Sequence, residues 1–188
     1  MRARYGRVLL ATGALTGVGI TLAPLALADG PPVVIRNQRS ELCLTPDTAS
    51  GTTACPGDAT DPRWRISPAP DATPDTWVVT TASNPAGDQP RCLDTNEDSV
   101  YVLGCDGGRN QTWHVEAFNT TFPPEGVIGI RLVSAAFGGC LQSELTQRGG
   151  PAGRVSLHRC DTDSDQQWNI DQYAYSQIFG PIFATRTR

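Results

Sequence analysis

The chain has 188 residues, of which 39% are hydrophobic, and its 15 basic and 19 acidic residues give a formal net charge of −4. This length suits a single globular domain with a core of its own. The acidic balance argues against a nucleic-acid partner and against an anionic membrane surface, because both require a basic face.

The N-terminus has the pattern of a secretory signal peptide. Three arginines among the first seven residues precede an apolar run of small residues, and residues 26–28 (Ala-Leu-Ala) offer a cleavage site. We therefore predict a signal peptide over residues 1–28 and a secreted, extracellular protein. A single membrane anchor is the alternative, because the apolar run is just long enough to span a bilayer.

The rest of the chain repeats three times. In each unit a Cys-Leu pair is followed by a second cysteine and then by a tryptophan, and these landmarks recur every 48 to 55 residues. A period in this range indicates one structural unit copied in tandem. We place the repeats at about residues 33–75, 76–124 and 125–172. The cysteines are Cys43, Cys55, Cys92, Cys105, Cys140 and Cys160, and the tryptophans are Trp64, Trp113 and Trp168.

Six cysteines in an exported chain predict disulfides. If the three units are alike, each must close its own pair, so the first cysteine of each repeat is predicted to bond to the second. Zinc is the competing use of cysteine, but the chain has no Cys-x-x-Cys pair and its cysteine spacings are too wide for a compact site. We expect no metal and no cofactor.

Short β-rich runs alternate with turn-rich stretches. The runs at 32–36, 76–80 and 129–133 precede a Cys-Leu pair, and those at 99–103 and 155–158 precede a second cysteine. No window of helical length carries a sustained apolar period of 3.6 residues. These patterns predict a nearly all-β domain with a closed, threefold-repeated barrel. The three tryptophans are expected to share its core, where each indole N–H needs a partner.

The closing motif allows a comparison with a known family. The second repeat carries Cys92-Leu93-Asp94 and ends in Asn110-Gln111-Thr112-Trp113, while the third ends in Gln-Gln-Trp. This threefold pattern resembles the ricin B-chain type lectin family over roughly residues 34–172. The resemblance implies a β-trefoil at residues 29–172, followed by a C-terminal tail at 173–188.

The resemblance also implies one shallow sugar pocket per repeat, built from an acid, an aromatic platform and an asparagine. In the second repeat Asp94 and Asn110 hold the acid and amide positions, and Gln111 lies beside them. Leu103 replaces the platform. Tyr101 is expected on the same strand face as Leu103 and could supply it. The alternative is that Asp94 and Asn110 only cap turns.

The other two repeats depart further from the family pattern. The third repeat has polar residues at the three positions, Gln142, His158 and Asp165. We expect a weaker site there. The first repeat has Thr45, Thr53 and Asp61, with Pro62 in place of glutamine. We expect the first repeat to be structural only.

Catalytic motifs are missing from the sequence. The chain has two histidines, His114 and His158, with no His-Glu-x-x-His and no Gly-x-Ser-x-Gly. The Asp-x-Asp stretch at Asp161 and Asp163 lacks the rest of a calcium loop. We therefore predict a carbohydrate-binding protein without enzymatic activity, whose ligand is a galactose-like or other glycan.

A second hypothesis places a protein partner on the tail. The trefoils that resemble this chain include cell-binding subunits of secreted toxins, so the alternative is a cell-binding or adaptor subunit that acts through protein contacts. The tail concentrates large apolar and aromatic residues, which often mark a contact surface. They are Tyr173, Tyr175, Ile178, Phe179, Ile182 and Phe183. The competing interpretation is that the tail packs back on the trefoil.

Overall fold

A computed structural model describes residues 30–46, 51–53, 64–70, 74–82, 89–118, 127–144 and 153–183. The predicted signal peptide lies outside these residues. They form thirteen strands, two short 3₁₀ turns and one α-helix. No helix in this part of the chain is long and apolar enough to cross a membrane.

The strands divide among the three repeats as the sequence pattern predicts. The first repeat contains β1 (Pro32–Val33), β2 (Arg36–Asn37), β3 (Cys43–Thr45), β4 (Gly51–Thr53) and β5 (Trp64–Pro68). The second contains β6 (Thr76–Thr81), β7 (Arg91–Thr95), β8 (Val100–Gly104) and β9 (Thr112–Phe118). The third contains β10 (Val127–Ser134), β11 (Cys140–Ser143), β12 (Gly153–His158) and β13 (Trp168–Asp171), followed by α1 (Gln172–Phe183).

The outer strands of each repeat close into a barrel. β1 pairs with β5, β5 with β6, β6 with β9, β9 with β10, β10 with β13, and β13 returns to β2. All these pairs are antiparallel, and β1 and β2 act as one interrupted strand. A closed ring leaves no free strand edge on the barrel. The inner strands form the hairpins β3–β4, β7–β8 and β11–β12.

The three tryptophans occupy equivalent places in the core. Trp64, Trp113 and Trp168 are each 0% exposed. Their indole N–H groups donate to the carbonyl oxygens of the three Cys-Leu leucines. The pairs are Trp64 to Leu44 at 2.9 Å, Trp113 to Leu93 at 3.1 Å and Trp168 to Leu141 at 2.9 Å. The predicted shared core and the partner for each indole are therefore confirmed, and the Cys-Leu-to-Trp spacing has a structural cause.

Two disulfides have the predicted connectivity. Cys92 bonds to Cys105 and Cys140 bonds to Cys160, each with a Cα–Cα distance of 5.0 Å. Cys43 is also disulfide-bonded, and its predicted partner, Cys55, lies outside the described residues. Each described bridge ties the start of a hairpin to the segment that follows it.

Peptide mapping without reduction is expected to recover these two bridges and a Cys43–Cys55 bridge. The two described bridges close loops of 13 and 20 residues, which constrain the unfolded chain. Reduction of each of these bridges is therefore expected to cost about 3 kcal/mol of stability. Urea denaturation with and without reductant measures this loss. A bridge between repeats, such as Cys43 to Cys140, would contradict the threefold account.

Helix α1 is the main departure from the sequence-based expectation, which found no helical period. Ala174, Ile178 and Phe179 are at most 8% exposed and belong to the hydrophobic core. The ring of Phe179 meets Trp77 edge-on, with centroids 4.6 Å apart, and also contacts Tyr175 at 4.8 Å. The helix therefore packs against the trefoil through these residues. Tyr173 is 71% exposed, and the side chains of Ile182 and Phe183 are outside the description.

Candidate functional site

The hairpin β7–β8 presents the predicted residues of the second repeat. Asp94 pairs across the hairpin with Tyr101, and Cys92 pairs with Leu103. Because strand side chains alternate between faces, Leu93 and Val102 point into the core while Tyr101 and Leu103 share the other face. Leu103 is 50% exposed and Tyr101 is partly exposed. The expectation that Tyr101 and Leu103 share a face is confirmed.

Gln111 links the 3₁₀ turn that follows the Cys92–Cys105 disulfide to the hairpin β7–β8. A 3₁₀ turn at Arg109–Gln111 places this side chain in the interior, where it is 1% exposed. Its Nε2 donates to Asp94 Oδ2 at 2.8 Å and to the Gly104 carbonyl at 2.9 Å, and its Oε1 accepts from the Asp106 N–H at 2.9 Å. The glutamine of the Gln-x-Trp motif thus fixes the position of the Asp94 carboxylate.

Asp94 keeps one oxygen without a partner. The residue is 5% exposed, and its Oδ1 is buried with no hydrogen-bond partner in the described structure. An unsatisfied buried acceptor is uncommon, because it forfeits its hydrogen bonds to water. Burial, the nearby negative charge of Asp94 and a hydrogen-bonding interaction of the phenol with the Asp94 side chain raise the pKa of Tyr101, so the Tyr101 hydroxyl lies next to this carboxylate. The Asp94 carboxylate is therefore positioned by Gln111 and lies beside Tyr101.

The remaining residues of this site lie at the surface. Asn110 is exposed at the middle of the 3₁₀ turn. A groove of about 210 Å³ lies on the disulfide side of Gln111 and is lined by Pro70, Val78, Cys92, Cys105, Asp106, Gly107 and Gln111. Asp94, Tyr101 and Asn110 do not line it. A hydrogen bond joins Gln111 to Asp94, and strand pairing places Tyr101 opposite Asp94. Asn110 lies on the 3₁₀ turn next to Gln111.

The third repeat reproduces this framework with different side chains. Gln166 Nε2 donates to Gln142 Oε1 at 2.8 Å and to the Arg159 carbonyl at 3.0 Å, and its Oε1 accepts from the Asp161 N–H at 3.0 Å. Gln142 thus occupies the place of Asp94, with a neutral amide instead of a carboxylate. His158, opposite Cys140, is exposed at the platform position.

Asp165 differs from its counterpart Asn110. It is 7% exposed, and its backbone carbonyl accepts from Asn37 Nδ2 at 2.7 Å. Burial raises the pKa of the Asp165 carboxyl, and so do the charges of Asp163 and Asp161, whereas Arg39 lowers it. Asp165 is therefore a poor equivalent of the surface amide in the second repeat.

The first repeat contributes little that can be described. Thr45, at the acid position, is 1% exposed. The side chain of Thr53 is outside the description, as are Asp61 and Pro62. The expectation that this repeat is structural agrees with the burial of Thr45.

Sequence reasoning missed one surface feature. A groove of about 380 Å³ lies between the hairpins β7–β8 and β11–β12, where Ser99 forms a bridge with Ser156. Its lining includes His158 and Asp98 together with two charged residues that no motif indicates, Glu144 and Arg154. Because these residues come from different repeats, only the trefoil topology brings them together.

Comparison with solved structures places this architecture among known folds. The chain is similar to ThreeFoil, a designed threefold-symmetric protein, with a TM-score of 0.54 and 17% identity over 74% of this chain and 97% of that one. It is also similar to the cytolethal distending toxin of Haemophilus ducreyi, with a TM-score of 0.55 and 15% identity over 78% of this chain and 85% of that one.

A mosquitocidal holotoxin has a TM-score of 0.57 and 15% identity over 79% of this chain, but only 18% of the toxin chain is matched. No family model matches the sequence, and no curated protein matches it. Identities this low establish the fold alone. Together with the closed barrel, the three hairpins and the threefold tryptophan contacts, they show that the chain is a β-trefoil.

Proposed function

We propose that this protein is a secreted carbohydrate-binding protein without catalytic activity, and that its main site is in the second repeat. The observation that carries the proposal is the hydrogen bonding of the Asp94 carboxylate. Gln111 holds one carboxylate oxygen at 2.8 Å, while the other is buried without a close hydrogen bond, and the Tyr101 phenol interacts with this side chain from across the hairpin. A ligand hydroxyl would supply the missing donor.

Sugar chemistry suits the side chains at this site. A carboxylate accepts strong, charge-assisted hydrogen bonds from sugar hydroxyls, and an aromatic face covers the apolar C–H patch of a sugar ring. Tyr101 and Leu103 supply partly apolar surface on one face of β8, and Asn110 adds an exposed amide. A sugar hydroxyl can reach the buried Oδ1 of Asp94 only if the side chain of Tyr101 moves aside. The ligand class is a galactose-like or other glycan.

The third repeat is proposed as a weaker site. Gln142 is held by Gln166 as Asp94 is held by Gln111, but a neutral amide accepts a weaker hydrogen bond than a carboxylate. His158 offers an exposed flat ring in place of an aromatic platform. We expect this site to add avidity rather than to bind alone.

A cell-binding or adaptor subunit that acts through protein contacts is the second candidate function. Two of the similar structures are toxins, and Tyr173 exposes 71% of its surface. However, Ala174, Ile178 and Phe179 of the same tail are buried in the core. Among the tail side chains that the structure describes, Tyr173 is therefore exposed, whereas Ile178 and Phe179 are not available to a partner.

The decisive variant for the main site is Asp94→Ala. It removes a charged acceptor whose hydrogen bonds are worth about 1.5–3 kcal/mol, so glycan affinity is expected to fall more than tenfold. A glycan array identifies the ligand, and calorimetric titration with the strongest array ligand measures the change. Gln142→Ala, the matched change in the third repeat, is expected to reduce affinity far less.

The same titrations distinguish the competing accounts. Circular dichroism on each variant confirms that the fold is retained, and Asp94→Asn, which keeps the size of the side chain, repeats the test with the least disturbance. Full glycan binding by both Asp94 variants would move the site elsewhere. If the array finds no ligand but immobilised protein captures a co-secreted partner, and Tyr173→Ala abolishes the capture, the adaptor function replaces the lectin function.

A further inference from the structure

The loop before the third tryptophan gathers three carboxylates. One ligand oxygen from each of Asp161, Asp163 and Asp165 lies within 4.8 Å of the other two. Two oxygens bound to one calcium ion are at most about 5 Å apart, because calcium–oxygen distances are 2.3–2.6 Å. A single ion therefore fits among the three groups. Asp161 and Asp163 form the Asp-x-Asp stretch of the sequence, and the 3₁₀ turn at Ser164–Gln166 adds Asp165.

The second repeat shows that the backbone of this loop does not require three acids. In both repeats the first aspartate accepts a hydrogen bond from the N–H two residues on, from Gly108 to Asp106 at 2.7 Å and from Asp163 to Asp161 at 2.8 Å. The second repeat then has Gly108 and Asn110 where the third has Asp163 and Asp165. The two extra carboxylates of the third repeat are therefore dispensable for the turn.

Asp165 supplies an independent indication of a ligand. It is 7% exposed, and its Oδ1 is buried without a hydrogen-bond partner among the described residues. The other oxygen, Oδ2, forms an ion pair with Arg39 Nη1 at 3.9 Å, a distance too long for a hydrogen bond. Arg39 lies only at ion-pair distance, so this buried carboxylate, with one oxygen unsatisfied and two like charges nearby, is expected to gain stability from a further cation.

We propose that Asp161, Asp163 and Asp165 form a binding site for a hard divalent cation, with calcium as the preferred ion. Calcium accepts carboxylate ligands in irregular geometry and completes its shell with water, and the exposed Asp161 and Asp163 leave one side of the site open to solvent. Magnesium fits less well, since it requires near-ideal octahedral geometry. The site reverses our expectation from the sequence and does not depend on sugar binding.

Calcium is expected to stabilise the intact protein. An open site of this kind is expected to have a Kd of about 10⁻⁴–10⁻³ M, so CaCl2 at ten times Kd should raise Tm by about 3–6 °C. Scanning calorimetry with CaCl2, MgCl2 and NaCl at matched ionic strength measures this shift, and calorimetric titration with CaCl2 gives the stoichiometry. The result expected is one calcium per chain and a smaller response to magnesium.

Two substitutions locate the ion. Asp163→Asn alters an exposed side chain that makes no capping hydrogen bond, and it is expected to weaken calcium binding at least tenfold while the protein stays folded. Asp165→Asn introduces the asparagine that the second repeat carries at this position. In the presence of a chelator this variant should have a higher Tm than the unsubstituted protein, and calcium should no longer raise its Tm. Asp106→Asn, at the second-repeat counterpart of Asp161, serves as the control and should leave the calcium shift intact.

The proposal is overturned if calcium produces no more stabilisation than sodium at equal ionic strength. It is equally overturned if Asp163→Asn retains the full calcium shift and stoichiometry, because the ion then binds elsewhere. Glycan binding is measured separately in chelator, where the proposed function in the second repeat is expected to persist. Failure of one claim is therefore distinguishable from failure of the other.

Discussion

Replacing Trp113 by alanine is expected to destabilise the protein by about 3–5 kcal/mol, the range for removing a large aromatic side chain from a close-packed core. Trp113 is 0% exposed, and its indole is one of three equivalent indole side chains that fill the core of the barrel. The substitution also removes the hydrogen bond to the Leu93 carbonyl. That carbonyl belongs to the residue before Asp94, so local order at the candidate site should fall as well.

Urea denaturation followed by circular dichroism measures this loss. Trp113→Phe keeps most of the apolar volume but leaves the buried Leu93 carbonyl without its donor, which is expected to cost about 1–3 kcal/mol. An intermediate stability for Trp113→Phe separates the packing contribution from the hydrogen bond. Loss of less than about 1 kcal/mol in the alanine variant would contradict the shared tryptophan core.

Replacing Phe179 by alanine is the second large expected effect. Phe179 is 1% exposed, and its ring contacts both Trp77 and Tyr175. Truncation of a buried phenylalanine costs about 3–5 kcal/mol, of which the aromatic pairs contribute about 0.5–1.5 kcal/mol each. We expect a large drop in Tm, because α1 is part of the core and not an appended docking segment.

Tyr173→Ala is the matched control on the same helix. Its side chain is 71% exposed, so its removal is expected to change stability by no more than about 0.5 kcal/mol. Calorimetric scans of the two variants decide between the interpretations of the tail. If Phe179→Ala left Tm unchanged, the packing of α1 on the trefoil would be wrong and the tail would be free to bind a partner.

The spacing of cysteine, leucine and tryptophan predicted a closed, threefold-repeated β-domain because each landmark has a fixed role in the repeat, and the resemblance to ricin B-chain type lectins implied the trefoil. Trp113 needs a buried partner for its indole N–H, and the leucine after each first cysteine provides the carbonyl. Alternation along a strand correctly placed Tyr101 and Leu103 on one face. These inferences depend only on local geometry and on recurrence, which a single sequence displays.

The sequence did not predict helix α1 or the contacts between residues that are distant in the chain. Ala174 with Ile178, and Tyr175 with Phe179, have helical i, i+4 spacing, but two such pairs are too few to outweigh a β-rich context. The bond between Gln111 and Asp94 joins residues 17 apart and required the 3₁₀ turn. The sequence position of Asp165 predicts a sugar-site residue, whereas in the structure it is buried near the carboxylates of two other aspartates.

The most direct test of the central claim is a ¹H–¹⁵N correlation spectrum recorded during titration with the strongest array ligand. The account predicts that shifts concentrate on the side-chain amides of Gln111 and Asn110 and on the backbone of Asp94 and Tyr101. The side-chain amide of Gln166, the equivalent residue in the third repeat, should shift less at the same concentration. Shifts centred on the groove between the hairpins, near Glu144 and His158, would contradict the assignment of the sugar site to the second repeat.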